Sequence, residues 1–76
     1  MPHVIIKLLK GRSESHKDAI ADAVAKAVMA SAQCAESAVS VSIEDVAPED
    51  WTDKVFQPDI AAKPEQLYKK PGYAPF

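Results

Sequence analysis

Pro2 and Arg12 are the two residues of this chain whose types suit chemistry on a small organic acid. Pro2 follows Met1 and runs directly into an apolar segment. A proline in second place is small enough for the initiator methionine to be trimmed, and trimming is expected to expose a secondary amine on a rigid ring. Such an amine carries protons if it is neutral near pH 7. An ordinary terminal amino group titrates near about 7.7–8.0, and proline's is more basic in water. Burial in an apolar pocket with a cation nearby disfavours the charged form and lowers that value. The neutral amine is then available as a general base. Arg12, the only arginine, stands just before a predicted helix start, where the helix dipole is already partly positive. A cation there makes sense if an anion binds between the two, and the planar guanidinium fork fits a carboxylate. Trp51, the only tryptophan, would serve either as an apolar wall of the pocket or as a core residue.

These groups need elements to hold them. His3 to Leu9 is β-branched at Val4, Ile5 and Ile6 and apolar on both faces, which predicts a strand covered on both sides. Gly11 allows a sharp turn, and Ser13 is a good helix cap with Glu14 and Asp18 in the first turns behind it. From Glu14 to about Ala32 the spacing is helical: Ile20, Val24, Ala27, Val28 and Ser31 share one face, widened by Ala19, Ala23 and Ala30. Asp22 and Lys26 form an exposed pair one turn apart. Val39 to Val46 alternates, with Val39, Val41 and Ile43 on one face and Ser40, Ser42 and Glu44 on the other, and predicts a second strand. Strand, helix, strand predicts a right-handed βαβ unit with parallel strands, an α/β fold. Pro48 to Trp51 reads as a turn or a single helical turn. Pro64 to Lys70 reads as a short final helix stopped by Pro71-Gly72, with Tyr73 to Phe76 as a tail.

The chain has 76 residues, which predicts a single domain over residues 1–76. A domain of this size buries only roughly 60% of its unfolded surface. It has no disulfide framework, because Cys34 is the only cysteine, and His3, His16 and Cys34 are too scattered for a metal site. Yet 47% of its residues are hydrophobic. Self-association is the expected route to a sufficient core. Two parallel strands leave edges and a face open, so a second copy is expected to complete a four-stranded sheet. The net charge of −2, with acids and bases interspersed, argues against a nucleic-acid partner. No stretch approaches the ~20 apolar residues of a membrane span, and no export signal is visible. A lone thiol then suits the cytoplasm.

Pro2, the short strand, Lys10-Gly11-Arg12-Ser13, the amphipathic helix, the alternating second strand and Trp51 occur in an order that resembles the 4-oxalocrotonate tautomerase family. The Lys69-Lys70-Pro71-Gly72-Tyr73 run resembles the small dimeric bacterial branch more than the hexameric one. The resemblance implies a β-α-β fold and a cofactor-independent keto–enol tautomerase acting on a small enol or 2-oxo acid. It implies Pro2 as general base and acid, Arg12 as a substrate-binding residue, and Trp51 as the aromatic that shapes an apolar pocket. The hexameric enzymes carry a second arginine where this chain has Ser40. Its loss favours a monocarboxylate such as the enol of phenylpyruvate over a dicarboxylate such as 2-hydroxymuconate. Lys7 or Lys54 would be substitute cations.

Two other functions fit the same residues. A proline-dependent dehalogenase or hydratase of unsaturated acids would need a carboxylate to activate water, for which Glu44 and Asp45 are candidates. A non-catalytic dimeric binding module is expected if Met1 stays on the protein, since an acylated ring nitrogen is not basic.

Overall fold

The computed structural model describes residues 1–73. Strand β1 spans His3–Leu9 and strand β2 spans Ser40–Val46. They pair in parallel, His3 opposite Ser40 through Leu9 opposite Val46. Helix α1, Glu14–Ala32, connects them. Its start follows the local chemistry expected of it: the Ser13 hydroxyl accepts the His16 N–H at 3.1 Å. Its end is made by Gln33, in the left-handed region at φ 54°, whose N–H is donated to the Met29 carbonyl. The β-α-β order and the bounds of β1 and α1 are those read from the sequence, and β2 begins one residue later, at Ser40.

The two faces of the sheet are covered differently. Residues alternate between faces, so Val41, Ile43 and Asp45 face α1 while Ile5, Lys7 and Leu9 face the other way. α1 lies chiefly over β2. Its inward side is Lys17, Ile20, Ala21, Val24, Ala25, Val28 and Met29, all half-buried. This corrects the expected stripe: Ala19, Ala23, Ala27, Ala30 and Ser31 are exposed, because the helix is rotated towards Ala21, Ala25 and Met29. Alanine is neutral enough on either side for its spacing to leave that rotation undetermined. The exposed Asp22–Lys26 pair closes at 2.8 Å as expected.

The opposite face receives a helix with no counterpart in the sequence reading. After a tight turn at Pro48–Asp50 the chain forms a ten-residue helix, Thr52–Ala61, wound wider than an α-helix. At its end the Ala62 N–H is donated five residues back to the Gln57 carbonyl at 3.0 Å. Pro58 lies inside it. Proline has no N–H, and in an α-helix its ring presses on the carbonyl four residues back, so a proline there argues against any helix. The wider winding relieves that clash. This helix supplies Val55 and Phe56, which with Val46 are the buried apolar side chains among the described residues.

The expected helix from Pro64 to Lys70 is a single tight turn at Pro64–Gln66. A helix that short must be held by burial, since nucleation is unfavourable. Only Leu67 of this stretch is half-buried, and Tyr68 is 99% exposed. Of the expected tail, Tyr73 is described and residues 74–76 lie outside the described residues. No described helix is long and apolar enough to cross a membrane.

Candidate active site

Parallel pairing gives the sheet a starting end and a finishing end, and the site residues read from the sequence divide between them. Pro2 is at the start. It is half-buried, and its carbonyl accepts the Ser40 N–H at 3.2 Å, which carries the ladder one residue beyond β1. The ring is therefore held against the sheet. Met1, ahead of it, is wholly exposed. Beside Pro2, His3 Nδ1 and Ser40 Oγ lie 2.6 Å apart. The polar group at this end is thus an imidazole–hydroxyl pair where the resemblance would place an arginine.

Arg12 and Trp51 are at the finish. Gly11, at φ 128°, adopts a conformation that side-chain-bearing residues avoid and turns the chain away from β1. Arg12 then folds back, and its Nη1 donates to the Leu9 carbonyl at 3.1 Å. Trp51 follows β2 through the Pro48–Asp50 turn. Its ring lines a cavity of about 330 Å³ together with Leu9, Pro48 and Tyr73. Arg12 is thus bound to the backbone of Leu9, a residue that forms one wall of that cavity. Recesses beyond the carboxyl ends of strands are where open α/β sheets bind ligands.

The two ends are far apart. A strand rises about 3.3 Å per residue, so the path from Pro2 to Leu9 covers about 23 Å. No small acid spans that distance. The expectation that Arg12 lies near the Pro2 nitrogen therefore fails within one chain: the structure places Arg12 and Trp51 at the finishing end of the sheet and Pro2 at its start. Sequence distance hid this, because ten residues in a strand and a turn reach much farther than ten residues in a helix.

The candidate substitute cations are already engaged. Lys7 pairs with Asp59 at 2.5 Å, and Lys54 with Asp50 at 3.4 Å. The Asp59 hydrogen bond holds the Lys7 ammonium above its ordinary pKa, aided by the charges of Asp59 and Glu44. Asp45, a candidate for activating water, is held by Lys17 at 2.8 Å on the α1 face. Hydrogen bonds to Asp45 and then Glu14 raise the Lys17 pKa well above the usual lysine range. Glu44 lies on the other face, in register with Lys7, and is exposed. Leu9, Pro48 and Tyr73 carry no sequence signal for a pocket wall beyond one: an aromatic residue set directly behind the Pro71-Gly72 turn.

Comparison with known proteins draws these features together. The family model described as Tautomerase enzyme matches residues 2–55, from Pro2 into the wide helix. The chain is 45% identical over 73 residues to a probable tautomerase of Xylella fastidiosa (strain 9a5c), a match covering 96% of this chain and 89% of that protein. It is 35% identical over 74 residues to Tautomerase PptA of Cronobacter sakazakii (strain ATCC BAA-894), covering 96% of this chain and 97% of the relative. Its fold is similar to a solved structure from a characterisation of 4-oxalocrotonate tautomerase isozymes of Methylibium petroleiphilum, with a TM-score of 0.64 and 36% identity over 66% of this chain and 81% of that one. A second, TomN, a 4-oxalocrotonate tautomerase homologue in the tomaymycin biosynthetic pathway, gives a TM-score of 0.64 at 32% identity, over 66% of this chain and 77% of that one. With both strands and the connecting helix inside the family match, and relatives aligned along almost their whole length, the chain belongs to the tautomerase family and is an isomerase of that kind.

Proposed function

We propose that this tautomerase interconverts the enol and keto forms of a small monocarboxylic 2-oxo acid, with Pro2 as the proton carrier. With Met1 removed, the neutral ring nitrogen takes the proton of the enol hydroxyl. It returns that proton to the carbon next to the forming carbonyl, so no proton is gained or lost. Arg12 holds the carboxylate, and Trp51 walls the recess that excludes water. The chemistry asks for no metal or organic cofactor. The reading is carried by one observation: Pro2 is half-buried and hydrogen-bonded at the head of the paired strands, in a chain whose family match starts at that residue.

The separation of the two ends favours a site shared between copies. Pro2 of one protomer meets Arg12 and Trp51 of a second. A two-stranded sheet with open edges supports this, as does Ile5, 62% exposed in the middle of β1. A homodimer with a four-stranded sheet satisfies both. Ser40, with no charge to hold a second carboxylate, favours a monocarboxylate such as the enol of phenylpyruvate. The engagement of Asp45 by Lys17 weighs against hydrolytic dehalogenation or hydration through that carboxylate.

Pro2→Ala is expected to lower kcat for ketonisation of phenylenolpyruvate by about 10²–10⁴-fold, with an unchanged circular dichroism spectrum. Full activity in that variant would end the proline mechanism. An intact mass that retains Met1 in protein from its native cell would favour the non-catalytic binding module instead.

A further inference from the structure

Resting on the assignment of Arg12 to the substrate carboxylate, we infer that Tyr73 is a specificity-determining residue that closes the apolar half of the site and sets which side chains the enzyme accepts. The segment after the wide helix holds little regular structure, only the turn at Pro64–Gln66, and exposes Tyr68 completely. At Tyr73 it returns to the sheet and makes two directed contacts. The Tyr73 hydroxyl accepts the Trp51 Nε1–H at 3.0 Å. Its ring meets that of buried Phe56 with centroids 5.7 Å apart and planes tilted by 54°. Phe56 thus fixes the Tyr73 ring from behind, and Tyr73 fixes the plane of Trp51.

This arrangement makes a shallow slot, half open to solvent. Trp51 and Tyr73 are two walls of the recess of about 330 Å³, and Leu9 and Pro48 are the others. That volume lies at the small end of ligand sites, enough for one aromatic ring or a branched alkyl chain. Arg12 is held on the backbone carbonyl of Leu9, one of the wall residues. A carboxylate on Arg12 would leave an apolar substituent of the same acid to enter the slot. Tyr73 is 44% exposed, so part of it is available to line such a group.

Trp51 is the only tryptophan, so its emission reports the slot directly. In the Met1-free protein, phenylacetate is titrated against Trp51 fluorescence, with acetate as the control. Kinetics compare phenylenolpyruvate with the short 2-hydroxypenta-2,4-dienoate. Tyr73→Ala is expected to weaken phenylacetate binding about tenfold and to lower the preference for the aromatic substrate by a similar factor. Acetate binding and turnover of the short substrate are expected to fall less than phenylacetate binding and turnover of the aromatic substrate. Tyr73→Phe, which keeps the ring and the fold, is expected to shift the Trp51 emission by freeing its N–H and to keep phenylacetate affinity within about threefold. Unchanged phenylacetate affinity and unchanged preference in Tyr73→Ala would overturn the inference. If that variant does not fold, an unshifted emission in Tyr73→Phe overturns it by itself. If the wild type ketonises neither acid while Tyr73→Ala still loses phenylacetate, the tautomerase reading falls and the slot stands.

Discussion

The two ends of this sheet are built to different rules. At the starting end the chain offers polar groups and a held backbone: Pro2 on the Ser40 N–H, with His3 beside the Ser40 hydroxyl. At the finishing end it offers apolar walls and one cation: Leu9, Pro48, Trp51 and Tyr73, with Arg12 bonded to the Leu9 carbonyl. The finish is also where the core lies, since Val46 is its strand residue and Val55 and Phe56 come from the helix next to it. The proposed proton transfer needs a basic group held in place. Recognition needs shape, and shape needs packing. A strand of seven residues keeps those two demands about 23 Å apart. A second copy is then the simplest way to bring them together.

Mixing single variants tests that separation most severely. Pro2→Ala is expected to be nearly inactive alone, and Arg12→Ala strongly impaired at substrate concentrations below its raised KM. If each site takes Pro2 from one copy and Arg12 from another, unfolding and refolding them together yields mixed dimers with one intact site. Statistical reassortment then restores about a quarter of the wild-type rate. A mixture as inactive as its parts would place both residues in one protomer's site and break the comparison. Stability gives the next largest contrast. Phe56→Ala, at the packed end, is expected to cost about 3–5 kcal/mol in urea unfolding. His3→Ala, at the exposed end, should cost less than about 0.5 kcal/mol. Equal losses would mean the core extends to both ends.

The cation at the finish should matter for binding more than for chemistry. Arg12→Ala removes a charge-assisted contact of about 1.5–3 kcal/mol, so kcat/KM for phenylenolpyruvate is expected to fall about 10–100-fold, mostly through KM. A fall in kcat alone would move Arg12 to the reacting atoms. The smallest effect concerns the clamp between α1 and β2. Lys17 titrates above its ordinary 10.5 in the folded protein, because Asp45 and Glu14 hold its charged form. A raised folded pKa contributes stability that is complete below the unfolded value and lost as pH rises through the folded one. The melting temperature of the wild type should therefore drop more steeply above about pH 10.5 than that of Lys17→Met. Parallel curves would show that the clamp contributes nothing to folding.

The local signals of this chain were strong where chemistry is local. β-branching over Val4 to Ile6, the cap at Ser13 and the turn at Gly11 each act on neighbouring backbone, so β1, α1 and the parallel pairing were readable from residue order. So were the residue types proposed for the site: an amine source, a guanidinium and an indole. What the sequence did not contain was distance. Whether Arg12 lies at the Pro2 end or at the Trp51 end of the sheet depends on the direction and length of β1, and only the folded sheet decides that. The wide helix at Thr52–Ala61 escaped for a related reason. Its Pro58 opposes a helix locally, and burial of Val55 and Phe56 against the sheet outweighs that preference once the sheet exists. Tyr73 became a pocket wall in the same way, through partners 17 and 22 positions earlier in the chain. Residue order thus determined which groups and elements this tautomerase has, since propensity and capping act within a few residues. The tertiary structure decided which groups meet, since burial rewards contacts at any separation along the chain.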